Sequence, residues 1–256
     1  MDGKIDDQEV ILSTCGVTKH FGNVHAVQNV DIEVMKGEVL SIVGANGAGK
    51  TTLLKLISGG HTLDSGRIIF MDVDVSGASL IHRARSGIVY SFQIPALFDN
   101  LSTLDNVTMA LFSRKKKMFA FFTKLDSYTE MRAAACQILE MFNVPKNEHA
   151  SQLPHGQRKL LDAAIAFAYN PQLLLLDEPT SGVSTDEKRQ VMDTIIPNIE
   201  KRNITTIIVE HDMEIVVRYS GRVIVLDQGQ IFAHGSPEEV MQNPRVREVL
   251  LGQKPA

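Results

Sequence analysis

Gly44-Ala45-Asn46-Gly47-Ala48-Gly49-Lys50-Thr51-Thr52 follows an apolar, β-branched run, Val39–Val43, and opens a leucine-rich stretch at 51–58 with helical spacing. A GxxxxGK[ST] pattern lying between a strand and a helix is a phosphate-binding loop. Glycines let the backbone amides turn inward around phosphate oxygens, and the helix N-terminus adds positive potential. Lys50 supplies a point charge between β- and γ-phosphates, and Thr51 would place its hydroxyl on Mg²⁺. The rival reading, an ordinary strand-to-helix turn with incidental glycines, does not explain the lysine and threonine.

Outward from this loop, further apolar runs stand at 173–176, Thr205–Val209 and 223–226. Runs without polar alternation suit a sheet covered on both faces. Helix-like stretches lie between them at 157–169 and 187–201, with Pro197 expected to interrupt the second. These alternations predict an α/β fold, a P-loop NTPase core with a doubly wound, mainly parallel sheet. The segment to about Glu38, and 66–75, read instead as antiparallel strands, with turns at Phe21-Gly22-Asn23 and Leu63-Asp64-Ser65-Gly66. The organisation expected is one domain over 1–256: an antiparallel β subdomain at about 1–38 and 61–80, a helical lobe at about 95–167, and the α/β core in the remainder.

Composition narrows the function. The 256 residues carry a net charge of -4, which argues against a nucleic-acid binder with a broad basic surface. The two cysteines, Cys15 and Cys136, have no metal-ligand spacing and are too few for a disulfide framework, so a reducing cytosol and buried thiols are expected. The N-terminal ten residues are acidic and polar, unlike a secretory signal. No apolar run approaches the roughly 20 residues that cross a bilayer as a helix, so service to a membrane would be from outside the lipid. Residues 112–124 join a basic cluster, Arg114 to Lys117, to several phenylalanines. They read as a solvated loop with its aromatics folded in, or as a membrane-surface or partner contact.

Three strand ends carry further candidates. Asp177 and Glu178 close the 173–176 strand, where open α/β sheets bind ligands. Asp177 would hold Mg²⁺ through its water shell. Glu178, on the other side of the strand, could polarise an attacking water. His211 follows the Thr205–Val209 strand, either as a hydrogen-bonded structural residue or as a contact to the γ-phosphate. Gln93, after Ser91-Phe92, is either a surface amide or a neutral carbonyl completing the Mg²⁺ and water shell.

The phosphate loop, Gln93, Leu153-Pro154-His155-Gly156-Gln157, Asp177-Glu178-Pro179-Thr180-Ser181 and His211 occur in the order and approximate spacing of an ABC-transporter ATP-binding cassette, a resemblance covering nearly the whole chain. The resemblance implies ATP and Mg²⁺ as ligands, with Phe21 stacking on adenine, Val27 beside it, and Gln93 coupling the nucleotide to a transmembrane permease subunit. It implies that His211 is a switch histidine and that two cassettes sandwich two ATP molecules. Each site would be closed by the partner's signature segment, here Leu153 to Gln157. Such a subunit hydrolyses ATP at the cytoplasmic face of the cell membrane, touching the membrane only through the permease. Within the superfamily the chain is most similar to cassettes for uptake of branched-chain and hydrophobic amino acids, a group that includes urea importers. His155 in the signature, the 112–128 insertion, Glu210-His211-Asp212-Met213 and the ending Val246-Arg247-Glu248-Val249-Leu250-Leu251-Gly252 carry that likeness.

The chain departs from the family pattern twice. The usual LSGGQ is here Leu153-Pro154-His155-Gly156-Gln157, so the serine hydroxyl is absent, and Pro154 offers no amide hydrogen although it suits the first turn of the following helix. One lost hydrogen bond to a charged phosphate costs about 1.5 to 3 kcal/mol, weakening that ATP site by roughly one to two orders of magnitude. The usual SALD is Ser181-Gly182-Val183-Ser184, without the subunit-bridging aspartate. Both suggest pairing with a different cassette and unequal sites. Three rivals stand beside the uptake reading: a small-molecule kinase, a non-transport cassette, and a cassette for an exporter of lipid or another solute.

Overall fold

The computed structural model describes residues 9–91, 97–114 and 125–251. Two long strands, β1 (Val10–Phe21) and β2 (Val24–Met35), pair antiparallel across the Gly22-Asn23 turn. Along β2 the polarity alternates as one covered face requires: Val30, Ile32 and Val34 are buried while Asp31 and Glu33 are exposed. The chain then enters a second sheet through β3 (Val39–Val43), crosses α1 (Lys50–Ser58), and returns to β1 through β4 (Ser65–Phe70) and β5 (Val73–Asp74). The first sheet therefore has four strands in the order β2-β1-β4-β5.

After α2 (Leu80–Ser86), the second sheet gains β6 (Ile88–Ser91), and three helices follow: α3 (Thr103–Arg114), α4 (Leu125–Met141) and α5 (His155–Ala168). Then β7 (Leu173–Asp177), α6 (Thr185–Lys201), β8 (Thr205–Val209), α7 (Met213–Tyr219), β9 (Arg222–Asp227) and β10 (Gln230–Gly235) alternate, before α8 (Pro237–Gln242) and α9 (Pro244–Leu251). The order is β10-β9-β3-β8-β7-β6, parallel throughout except for the β9–β10 hairpin.

The leucine run of β7 explains why that sheet shows no polar alternation. Leu173 and Leu175 pack with α1 and the first sheet, whereas Leu174 and Leu176 pack with α3 to α6. Both faces are covered, so every position is apolar. Where the strand leaves this sandwich, the same alternation distributes polar groups to opposite sides.

Two expectations need correction. Helix α6 runs unbroken through Pro197. The proline stands on the exposed face, opposite buried Val191, Ile195 and Ile199, so the carbonyl that loses its helical donor can be hydrated while the packed face holds the helix. The thiols are not both buried. Cys15 is exposed, beside a register shift in the β1–β4 pairing, and Cys136 is half-buried against the helical core.

Candidate active site

Strand β3 delivers the chain into the loop at Gly44, and Gly49 (φ 102°) is the cap of α1. Glycine is needed there: the backbone is left-handed, and a Cβ would lie 2.2 Å from the Ala26 carbonyl oxygen on β2. No side chain caps the helix, so the first-turn N–H groups are left to bind an anionic ligand. Ala45, Asn46, Gly47 and Gly49 line the open side of the loop while Ala48 anchors it in the core. Lys50 folds its ammonium back, donating to the carbonyls of Gly44 at 2.8 Å and Ala45 at 3.0 Å. Burial lowers its pKa, and the charges of Glu178 and Asp177 work in the opposite direction. Thr51 and Thr52 follow on the first turn, both half-buried.

Asp177, buried at the end of β7, accepts from two hydroxyls: Thr51 Oγ1 to Oδ1 at 3.1 Å and Tyr90 Oη to Oδ2 at 2.7 Å. Burial and then the hydrogen bond and charge of Asp177 push the Tyr90 phenol far above its usual range, so Tyr90 is a neutral donor. One carboxylate and one hydroxyl at the mouth of a phosphate loop form the hard oxygen set that suits Mg²⁺.

Glu178 takes a left-handed backbone (φ 50°) immediately after the strand, a conformation unusual for a non-glycine residue and common at functional sites. Its N–H donates to the Val209 carbonyl, and its own carbonyl accepts from the Ser181 N–H at 3.0 Å, closing a turn. Lys159 of α5 donates to that same carbonyl at 3.3 Å and to Ser181 Oγ at 3.0 Å. Asp162, one turn further along α5, accepts a hydrogen bond from Ser91 Oγ at the end of β6.

At the neighbouring strand end, buried Glu210 accepts from Thr180 N at 3.1 Å and Thr180 Oγ1 at 2.7 Å. Burial raises its pKa, with the Thr180 bonds opposing. His211, its side chain 52% exposed, places Nδ1 4.0 Å from Glu210 Oε2. The ends of β6, β7 and β8 are thus joined by buried polar contacts under the phosphate loop. Sequence reading picked out Asp177, Glu178 and His211 but missed Tyr90, Lys159, Asp162 and Glu210.

Phe21 is half exposed at the tip of the β1–β2 hairpin, with His61 edge-on at 5.3 Å between ring centroids and Lys19 Nζ 5.5 Å from its centroid. Val27 is different. At 1% exposure it belongs to the core with Ala48 and Leu53, because the inward face of β2 claims it, so its side chain is not available to line a base site. Gln93 and residues 115–117 lie outside the described residues.

In the signature segment Leu153 is buried, Pro154 is the N-cap of α5 rather than a first-turn residue, and His155 is exposed. Gly156 is buried, and Gln157 Oε1 is a buried oxygen with no hydrogen-bond partner. Pro154, Gly156 and Gln157 line a cleft of about 390 Å³ against Glu187, Gln190 and Val191 of α6.

A family model described as ABC transporter matches residues 27–181. The chain belongs to the ABC transporter family. Among its ABC relatives, the high-affinity branched-chain amino acid transport ATP-binding protein LivG of Escherichia coli K12 is 32% identical over 95% of this chain and 98% of its own. The probable LivG proteins of Archaeoglobus fulgidus and Methanocaldococcus jannaschii are 32% and 31% identical over 94% and 96% of this chain, and 95% and 99% of theirs. Among solved structures, an ABC-transporter ATP-binding cassette in its ADP conformation superposes with a TM-score of 0.83 at 30% identity, covering 96% of this chain and 100% of that one. A nucleotide-free cassette gives 0.81, also at 30% identity, covering 94% and 98%. The chain is therefore a cassette ATPase, and no described helix is long and apolar enough to cross a membrane.

Proposed function

We propose that this cassette energises uptake of branched-chain amino acids, urea or a related small polar solute through permease subunits to which it docks at the cytoplasmic face of the membrane. The solute class rests on the relatives, which match it over nearly their full length. The hydrolytic role rests on one observation: Lys50, Thr51 and Asp177 converge at the phosphate loop, with Thr51 Oγ1 3.1 Å from Asp177 Oδ1.

Residues 44–52 cradle the phosphates of ATP, Lys50 bridges the terminal two, and Phe21 offers a face for adenine. Thr51 and Asp177, with Gln93, would hold Mg²⁺, which neutralises phosphate charge when bound. Glu178 polarises the attacking water and His211 contacts the γ-phosphate. Pro154, His155, Gly156 and Gln157 face the nucleotide of a second cassette, where the His155 ring, the N–H groups of the Gln157 side chain and the remaining backbone amides stand in for the missing serine donor. ATP drives the permease because it stabilises the closed pair of cassettes more than ADP does. The four-stranded sheet, the α3 to α5 helices and the α/β core then act as base platform, permease-facing lobe and hydrolytic core.

The test is the solution mass of the Glu178→Gln chain by light scattering, with and without Mg-ATP, against Lys50→Ala. The expected outcome is ATP binding without self-association, because Pro154 and the missing bridging aspartate favour a different partner. A doubling of mass with ATP, absent in Lys50→Ala, would show that the chain closes on itself. Failure of Glu178→Gln to slow hydrolysis would remove Glu178 from its role.

A further inference from the structure

Helix α5 begins at the signature segment, and its buried face carries two charged residues among apolar ones. Lys159 and Asp162 are each 8% exposed beside Leu160, Leu161, Ala163 and Ala164. A lysine placed only for packing would extend its ammonium to solvent. This one is turned inward, onto the Glu178 carbonyl and Ser181 Oγ. The Glu178 carbonyl it meets belongs to the left-handed residue whose carboxylate follows Asp177, and that carbonyl also closes the turn to the Ser181 N–H. The ammonium therefore braces a turn that the backbone would not adopt by preference. Three residues on, Asp162 ties the same helix to Ser91 at the end of β6, two residues before Gln93.

We propose that Lys159 is a positioning residue for hydrolysis: from α5 it fixes the 178–181 turn, so that the direction of the Glu178 carboxylate depends on the helix whose first residues face the other cassette's nucleotide. This rests on the assignment of Glu178 as the water-polarising group. Lys159 acts through the turn that it holds. A shift of α5 as the signature segment engages the partner's nucleotide would be passed to the chain's own carboxylate through the Lys159 ammonium.

Amide hydrogen exchange on the full-length chain, with Lys159→Met, Lys159→Arg and Ser181→Ala, reads the turn directly. Lys159→Met should speed exchange in a peptide covering 178–181 by about tenfold or more while the α1 and β8 peptides keep their rates. Lys159→Arg, which retains the charge and donors, should recover most of the protection. Ser181→Ala removes one acceptor at the half-buried end of the turn, and should give a smaller acceleration of about threefold in the same peptide. It decides the matter if Lys159→Met does not fold. In Mg-ATP hydrolysis by the chain assembled with its partner cassette, normalised to folded protein, the same variants should lower kcat and leave KM within about threefold. Unchanged exchange at 178–181 in Lys159→Met, or in Ser181→Ala where Lys159→Met is unfolded, overturns the proposal. So does a lower kcat in Lys159→Met that Lys159→Arg fails to restore. Glu178→Gln run in parallel separates the two claims: if it slows hydrolysis while the 178–181 turn is indifferent to Lys159, only the brace is wrong. If Glu178→Gln hydrolyses normally, the assignment of Glu178 is wrong.

Discussion

Asp177 holds two hydroxyls at once, Thr51 on one oxygen and Tyr90 on the other, so the carboxylate is oriented before any ligand arrives. Replacing Tyr90 by phenylalanine keeps the ring and removes one hydrogen bond to a buried charge, an interaction worth about 1.5 to 3 kcal/mol. Thermal or urea unfolding should show Tyr90→Phe losing stability on that scale, and Mg-dependent ATP affinity should fall with it while Mg-free nucleotide binding is kept. Equal loss in both would mean that the hydroxyl serves only the fold. Asp177 was legible in the sequence because it follows four leucines, and Lys50 because its loop has a fixed spacing. Tyr90, Lys159 and Asp162 were not, since each is a polar residue in an apolar stretch whose partner comes from another element: Asp177 for Tyr90, Glu178 for Lys159, Ser91 for Asp162. Only tertiary pairing distinguishes them from ordinary helix or strand residues.

Helix α6 shows how packing and capping outweigh a local breaker. It starts with a capping box in which Ser184 and Glu187 satisfy each other's backbone N–H groups, and Asp186 and Glu187 favour the positive end of the helix dipole. Ser184→Ala should cost about 1 kcal/mol, visible as a lower midpoint in urea with unchanged slope. At the far end Pro197→Ala should stabilise the chain by about 1 to 3 kcal/mol, because alanine restores the missing donor on an exposed face. A destabilised Pro197→Ala would show instead that the proline bend fits α6 to its neighbours. Periodicity found this helix, and found the buried strands, because both patterns are local. It misjudged Pro197 because the cost of a proline is decided by the packed face of Val191, Ile195 and Ile199, which lies outside any local window.

Across the whole molecule, the strand order β10-β9-β3-β8-β7-β6 brings residues from β3, β6, β7 and β8 to one rim of the sheet, although they are spread over most of the chain. The presence of β3, β7 and β8 was readable from apolar runs, but the lateral order of the sheet depends on crossover paths that no run encodes. This assembly leaves an imprint on the pH dependence of stability. Asp162 lies at the base of the rim, where burial pushes its carboxyl up to about 6 against the opposing effects of Ser91 and Lys159. An acid whose folded pKa exceeds its unfolded value of 3.8 binds more proton in the folded state between those limits, so its contribution to stability falls as pH rises from about 4 to about 6 and is level above that. The displacement corresponds to about 3 kcal/mol at roughly 1.4 kcal/mol per unit. Asp162→Asn removes this titration while leaving every other group in place. Subtracting the variant's unfolding free energy from that of the wild type should therefore give a difference that declines between pH 4 and pH 6 and then stays flat. Parallel profiles for the two proteins would mean that the buried carboxyl titrates in the folded chain as it does in the unfolded one.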